Sequence, residues 1–517
     1  MATPTSLHTT AFIHPNLYKD SVALMRVAQR LLALPEVVNA TLQMGNPANK
    51  EILQEAGLLA AAVKDAGPSD IMVVVQARTA AACAAAVAAS QAELAGQAQT
   101  ASDSAAAGQE DLAARTVGMG LARLSGANIA QISVPGAYAA AEALKAVKQG
   151  LNVFMFSDNV PLAQEVAIKR EAARRGVLVM GPDCGTAIIA GVPLGFANNV
   201  RKGSIGLVAA SGTGLQEVTT QIHRMGGGIS HAIGTGGRDV YAEVGGATML
   251  QGIALLAKDV STRVIVVVSK PPAPEVTQKV MAALVAAGKP AVVVFLGSKL
   301  ASPAQHIHVV HTLADCAARA VQIAGVRPAP YAVYPLPRKP VFASSQKFLR
   351  ALYSGGTYAS EAQILWAKAG LRVWSNVPVD KALALANPRQ ASFGHTALDL
   401  GDDAFTVGRP HPMIDQAARI ERLLKEAADP SVRVILLDVV IGWGAHADPA
   451  RELAGAIVKA KAISARGKRE LVVVGFVCGT EKDPQVLAQQ EAQLRTAGMV
   501  LAGNSANAAW LAGEWVK

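Results

Sequence analysis

The sequence predicts an α/β protein, with several parallel-sheet domains preceded by a small α+β domain. Three observations predict it. From Ala127 onward, short apolar runs alternate with amphipathic segments at helical spacing. Those runs are apolar throughout rather than at every second residue, as in strands buried on both faces. Gly/Ser/Thr turns stand where several runs end and helices begin, which is where doubly wound sheets gather their loops.

Taken in order, residues 1–78 read as the small α+β domain. "YKDSVALMRVAQRLLAL" has helical spacing, "VVNATLQM" alternates like a strand, "NPANKEILQEAGLLAAAV" restarts a helix after Asn-Pro, and "DIMVVVQA" is a short buried strand. Residues 79–126 form an Ala-rich helical insertion, read as two helices joined by a loop near Gln97–Gly108 and assigned no chemistry. The next α/β domain spans 127–200, with strands in "NIAQISV", "NVFMFS" and "VLVMG". A second, over 201–326, carries "SIGLVAAS", "RVIVVVS" and "AVVVFLG". The stretch "RPAPYAVYPLPRKPVF" (327–342) is a stiff, Pro-rich linker. Beyond it, 343–517 resumes the alternation with "LRVWSN", "HTALDLG", "VRVILLDVVIG", "LVVVGFVCG" and "MVLAG".

Bulk properties narrow the function. A chain of 517 residues is too long for one core and implies about three or four domains. The net charge of +10 comes from scattered Lys and Arg with few aromatics between them, unlike a nucleic-acid groove. Small anionic substrates or a solvated basic surface account for it. Cys83, Cys184, Cys316 and Cys478 form no CxxC pair, which argues against a disulfide scaffold or a cysteine-built zinc site; no metal is expected. The first twenty residues lack a secretory pattern, and the apolar runs are too short to span a bilayer. A cytoplasmic location without membrane attachment is the expectation.

Three Gly/Ser/Thr-rich turns are the candidate sites: Ser211–Gly214, Ser354–Thr357 and Gly442–His446. Free amides and about half a positive charge at a helix start make an anion site, each contributing roughly 0.3–2 kcal/mol. One such turn binds nothing tightly, whereas two facing each other hold a phosphate.

At this point the residues become recognisable. "MGPDCGTAIIAGVPLGFANNVRKGSIGLVAASGTGLQEVTTQIHRMGGGISHAIGTGGRDV", Met180 to Val240, resembles the α subunit of succinyl-CoA synthetase and its NDP-forming acyl-CoA synthetase relatives. "HTALDLGDDAFTVGRPHPMIDQAARIERLLKEAADPSVRVILLDVVIGWGAHAD" resembles the carboxyl-terminal ligase domain of the β subunit. With "YSGGTYASEA" and "GRPHPMID", nearly the whole chain outside the Ala-rich tract is similar to the FdrA family, a fused relative of the two subunits. The resemblance implies Rossmann-like and flavodoxin-like domains of the succinyl-CoA synthetase type: a CoA-binding-like domain over 127–200, an α-like ligase domain over 201–326 and a β-like one over 343–517. It also implies one phosphate flanked by a helix start from each half.

The departures are informative. The Gly-rich loop that carries the phosphohistidine in those synthetases is missing from "AVVVFLGSKLASPAQHIHVVHTLADCAARAV", so His306, His308 and His311 read as strand or cap residues. Lys270 stands where the synthetases have a glutamate, no ATP-grasp domain precedes the β-like half, and "QISVPGAYAAAEAL" has the single glycine Gly136 in place of a dinucleotide-type fingerprint. FdrA-type proteins imply an oxamate carbamoyltransferase role, oxalurate and phosphate giving oxamate and carbamoyl phosphate by direct transfer. Two alternatives are an NDP-forming acyl-CoA ligase and a phosphometabolite-binding subunit without turnover. The carbamoyl reading requires no cofactor and leaves CoA binding open. It implies homo-oligomers and hetero-oligomers with other carbamoyltransferase subunits.

The residues expected to bind phosphate or substrate are Ser211, Gly212, Thr213 and Gly214, then Gly355, Gly356 and Thr357, and Gly442, Trp443 and Gly444 as the counterpart of the first turn. His446, Lys270, Arg409 and His411 are the candidate catalytic groups. His446 donates to phosphate or carbamoyl oxygen, or caps a helix. Lys270 neutralises a phosphate or forms a surface ion pair. Arg409 in the Pro-locked "GRPHPMID" grips an oxyanion in a bidentate manner, or fixes its loop with Asp402 or Asp415. Asp399 and Asp402 order that loop or carry a proton. Asn46, Asn49 and Lys50 in "MGNPANKE" are either a deliberate loop or helix caps.

Overall fold

The computed structural model describes residues 7–17, 19, 21–55, 57–99, 114–327, 334–335, 338–406 and 409–517. They fall into two compact units, residues 1–116 with 407–410, and residues 117–406 with 411–517.

In the first unit, β1 (His8–His14), α1 (Ser21–Leu32), β2 (Val37–Met44), α2 (Pro47–Glu55), β3 (Ile71–Ala77) and α3 (Ala80–Gln99) build an antiparallel sheet in the order β1-β3-β2. The apolar run of β3 makes it the central strand, sealed on one face by Leu24, Val27, Leu31, Cys83, Ala86 and Leu94, and on the other by Leu53, Val63 and Ala66. Two features differ from the sequence expectation. "HTTAFIH" is a strand, paired residue for residue from His8 opposite Ala77 to His14 opposite Ile71; its exposed His8, Thr9 and Thr10 suit an edge position. The Ala-rich α3 contributes Cys83, Ala86 and Leu94 to this core, so the unit extends past residue 78. The loop expected near Gln97–Gly108 lies largely outside the described residues. Asn46 caps Asn49 and Asn49 donates to the Met44 carbonyl, the capping alternative for that loop.

The second unit opens with α4 (Val117–Arg123), β4 (Ile129–Ile132), α5 (Gly136–Lys148), β5 (Asn152–Met155), α6 (Leu162–Arg175) and β6 (Val179–Met180), a parallel sheet in the order β4-β5-β6. A hairpin, β7 (Thr186–Ile189) and β8 (Val192–Gly195), leads into β9 (Lys202–Ala209), α7 (Gly212–Arg224), β10 (Ile229–Gly234), α8 (Ala247–Lys258), β11 (Val264–Ser269), α9 (Pro274–Ala287), β12 (Ala291–Phe295), β13 (Ile307–Val309) and α10 (Leu313–Ile323). Their sheet runs β13-β12-β11-β9-β10-β7-β8, parallel from β13 to β10. The last part is β14 (Phe348–Tyr353), α11 (Gly356–Lys368), β15 (Val373–Ser375), β16 (His395–Asp399), α12 (Asp403–Thr406), α13 (Ala417–Ala428), β17 (Val432–Val440), α14 (Pro449–Arg466), β18 (Val472–Cys478), α15 (Leu487–Thr496), β19 (Met499–Leu501) and α16 (Ser505–Val516). This sheet is parallel throughout, in the order β15-β16-β14-β17-β18-β19. The uniformly apolar runs predicted strands covered on both faces, and β11 and β18 are buried along their whole length.

These strand orders position the site. From β9 the chain goes to β10 on one side and then returns past β9 to β11; from β14 it visits β15 and β16 before crossing to β17. β9 and β14 are therefore the strands at which each sheet reverses direction. Doubly wound sheets bind ligands at the carboxyl end of that point. The helices that leave these two strands are α7 and α11.

Candidate functional site

Ser211 adopts extended backbone and caps α7, its Oγ accepting from the Gly214 amide at 2.9 Å. Gly355 occupies the matching position before α11, with no side chain to cap it. The two starts meet: Ser211 Oγ and Thr357 Oγ1 share a hydrogen bond of 2.5 Å. The approach is close enough that a β-carbon on Gly355 would lie 2.4 Å from Thr213 Cγ2. Two positive helix ends thus face each other across the boundary between the halves.

Three further groups surround the junction. A β-carbon on Gly356 would fall 2.8 Å from an Asp399 carboxylate oxygen and 3.4 Å from the Lys270 ammonium. Asp399 ends β16, where its Oδ1 accepts from the Gly401 amide and its backbone exchanges hydrogen bonds with Asn376. Burial pushes its carboxyl up to about 7, against the pull of the Gly401 amide and of Lys270. His411 Nε2 lies against Gly401 on the same side, 2.6 Å from where a β-carbon would stand. Burial, with the Arg419 charge adding to it, lowers the His411 imidazole to about 4, so it is neutral at pH 7. Its ring also packs on Phe196, with centroids 5.7 Å apart. Asp438 supports β14 from below, accepting from the Ser354 amide at 2.9 Å and from the Ser354 hydroxyl.

The remaining expected residues lie elsewhere. The counterpart of Ser211–Gly214 is Gly355–Thr357, not Gly442–His446. The latter stretch precedes Asp448, the residue that caps α14. Its amides are already engaged: Gly442 donates to Gln485, Trp443 to the Ala197 carbonyl and His446 to the Met413 carbonyl. Gly444 packs on Phe196 and so lies one layer behind the junction. His446 turns toward α14, accepting from the Asp448 amide and pairing with Glu452 at 3.4 Å, and that pairing raises its pKa. Arg409 is exposed and falls in the segment 407–410, which belongs to the first unit. His308 is in β13 with its Nδ1 against Arg319, and burial followed by that charge lowers its pKa.

Two buried glutamates complete the arrangement and were missed by sequence reasoning. Glu217 and Glu361 are the sixth residues of α7 and α11. Glu361 Oε1 accepts from the amide of Leu313, the first residue of α10, at 2.7 Å; Glu217 Oε1 accepts from that of Ser505, the first residue of α16, at 3.1 Å. Each half's central helix thus caps the last helix of the other half. The matching spacing in "SGTGLQE" and "GGTYASE" was visible in the sequence, but nothing there showed what the glutamates would face.

Comparisons with known proteins give the chain's relatives. A family model for CoA-ligase matches residues 352–514, one for a CoA binding domain residues 200–297, and one described as AllF, heavy metal-associated domain, residues 7–111. The chain is 40% identical over 512 residues to Uncharacterized protein YahF of Escherichia coli (strain K12), covering 98% of each. It is 28% identical over 152 residues to the α subunit of ADP-forming succinate–CoA ligase of Staphylococcus epidermidis, 28% of this chain and 48% of that subunit. Among solved structures, the apo dinucleotide-forming acetyl-coenzyme A synthetase 1 of Ca. Korarchaeum cryptofilum aligns with a TM-score of 0.32 and 16% identity, covering 75% of this chain and 84% of that one. The residues of the first unit do not fit a heavy metal. Its single cysteine, Cys83, is buried against the His8 carbonyl, and no cluster of three potential ligands exists among the described residues.

Proposed function

The chain belongs to the fused succinyl-CoA synthetase-like family that includes YahF, and on that footing we propose that it is a CoA-ligase-like enzyme transferring an acyl group through an acyl phosphate. The observation that carries this reading is the Ser211–Thr357 contact, which turns two helix starts toward one space. A phosphoryl group there would accept first-turn amides from both helices and gain from both dipoles. A phosphate oxygen attacks the thioester carbon; the carbon–oxygen bond forms as the carbon–sulfur bond breaks, and the electron pair leaves on sulfur. The proton released by hydrogen phosphate passes to that sulfur, and Asp399, titrating near neutrality beside Gly356, is placed to relay it. Lys270 offsets the phosphate charge. CoA enters as co-substrate, a role supported by the CoA binding match across β9 to β12.

A second reading keeps the same bond changes with an amide nitrogen in place of sulfur: oxalurate and phosphate giving oxamate and carbamoyl phosphate, in an assembly with further carbamoyltransferase subunits. The engagement of His308, in a short strand, with Arg319 supports direct transfer, which needs no mobile histidine, in either reading. The full chain, incubated with phosphate and hydroxylamine, distinguishes the readings. Acetyl hydroxamate formed from acetyl-CoA supports the first, and hydroxyurea formed from oxalurate the second. Phosphate binding without either product points to a phosphometabolite-binding subunit. Absence of phosphate binding refutes the site.

A further inference from the structure

We propose that the organic part of the substrate is an uncharged, apolar acyl chain, held in a cavity next to the two helix starts. The assignment rests on the acyl-phosphate reading and specifies its substrate class. The cavity measures about 550 Å³ and is lined by Lys270, Pro271, Leu296, Gly297, Ser360, Ile364 and Val377–Val379. It lies on the carboxyl side of β11, β12 and β15, with Ser360 and Ile364 presenting one face of α11. Lys270 belongs both to this lining and to the surroundings of Gly356, so the cavity borders the phosphate position through that side chain.

Its chemistry is one-sided. Among the described residues Lys270 is the one charged lining group, and it stands at the phosphate end. Ser360 donates its hydroxyl hydrogen to the Gly356 carbonyl at 2.8 Å. The wall over 377–379 is satisfied from within: Val377 donates to Ser375 Oγ, and Gln363 donates to the Val377 carbonyl and accepts from the Val379 amide. Pro271 and Pro378 have no N–H to offer. Gly297 has φ +81 and sits against Ile364, where a β-carbon would come within 3.2 Å of its Cδ1. Much of what remains facing the space is the aliphatic surface of Ile364, Val377 and Val379. A terminal carboxylate at the far end of the chain would find no cation there, Lys270 being engaged beside the phosphate.

The experiment uses stable phosphonates with the full chain. Affinities of inorganic phosphate, methyl-, propyl- and pentylphosphonate, and 3-phosphonopropionate are measured by calorimetry. Affinity is expected to rise roughly fourfold per buried methylene from methyl to pentyl, with 3-phosphonopropionate no tighter than methylphosphonate. Ile364→Trp, which fills the cavity, and Val379→Asn, at an exposed position, are each expected to lower the pentyl-to-methyl affinity ratio. Phosphate bound with a flat chain-length series, or 3-phosphonopropionate bound most tightly, overturns the acyl assignment alone. Failure of phosphate and every phosphonate to bind overturns the phosphate site and this assignment together.

Discussion

Replacing Gly355 by alanine is expected to force the two helix starts apart. Gly355 has φ −162°, extended backbone that alanine adopts without strain, so the effect is a matter of space. The added methyl would stand 2.4 Å from Thr213 Cγ2, 2.8 Å from its Oγ1 and 3.0 Å from its Cβ. Comfortable carbon contacts begin near about 3.5 Å, and overpacking of this kind costs about 1–3 kcal/mol. The same displacement weakens phosphate binding by roughly tenfold, about 1.4 kcal/mol. Calorimetric titration with phosphate and urea unfolding measure both effects. Thr213→Ala removes the two nearest atoms, so in that background Gly355→Ala should lose much of its penalty, a coupling of about 1 kcal/mol or more. Equal penalties in both backgrounds would show that the helix starts do not meet as described.

Three other perturbations test separate parts of the structure. Burial holds Glu217 at about 7 against an ordinary 4.5, so between those values the native state keeps a proton that the unfolded chain releases; stability falls as pH rises through that window, by roughly 3 kcal/mol. Glu217→Gln should remove this share of the fall, read as urea midpoints at pH 5 and 8. Asp399 ionises as pH passes about 7, placing a negative charge beside Gly356, so phosphate affinity should drop several-fold more between pH 6.5 and 8 than in Asp399→Asn, by calorimetry. Lys169 lies buried between Glu165 and Asp239 at 2.9 and 2.8 Å; Lys169→Met should destabilise by about 3–5 kcal/mol in urea, since buried Asp239 loses its cation and Glu165 keeps only Arg238.

The parallel sheets were legible because their strands are apolar without alternation, and the α7 and α11 starts because Ser-Gly-Thr-Gly and Ser-Gly-Gly-Thr each follow such a strand. The pairing of those starts was misjudged. Gly442–His446 is likewise a glycine-containing turn after a buried strand, and composition does not show that Gln485, Ala197 and Met413 accept from its Gly442, Trp443 and His446 amides. For Asp399 the sequence leaves open ordering a loop or carrying a proton, since only the fold brings the end of β16 beside Gly356. The strand β1 escaped notice because its Thr and His residues carry no apolar periodicity of their own.

The crossed glutamate caps have a consequence for how the molecule is made. During synthesis the amide of Leu313 emerges before Glu361 exists, and Glu217 waits 288 residues for Ser505. Neither half can finish its last helix alone, so joining them in one polypeptide guarantees each its complement in equal number. A break in the 327–342 connection would turn a folding step into an encounter between two incomplete pieces, subject to dilution.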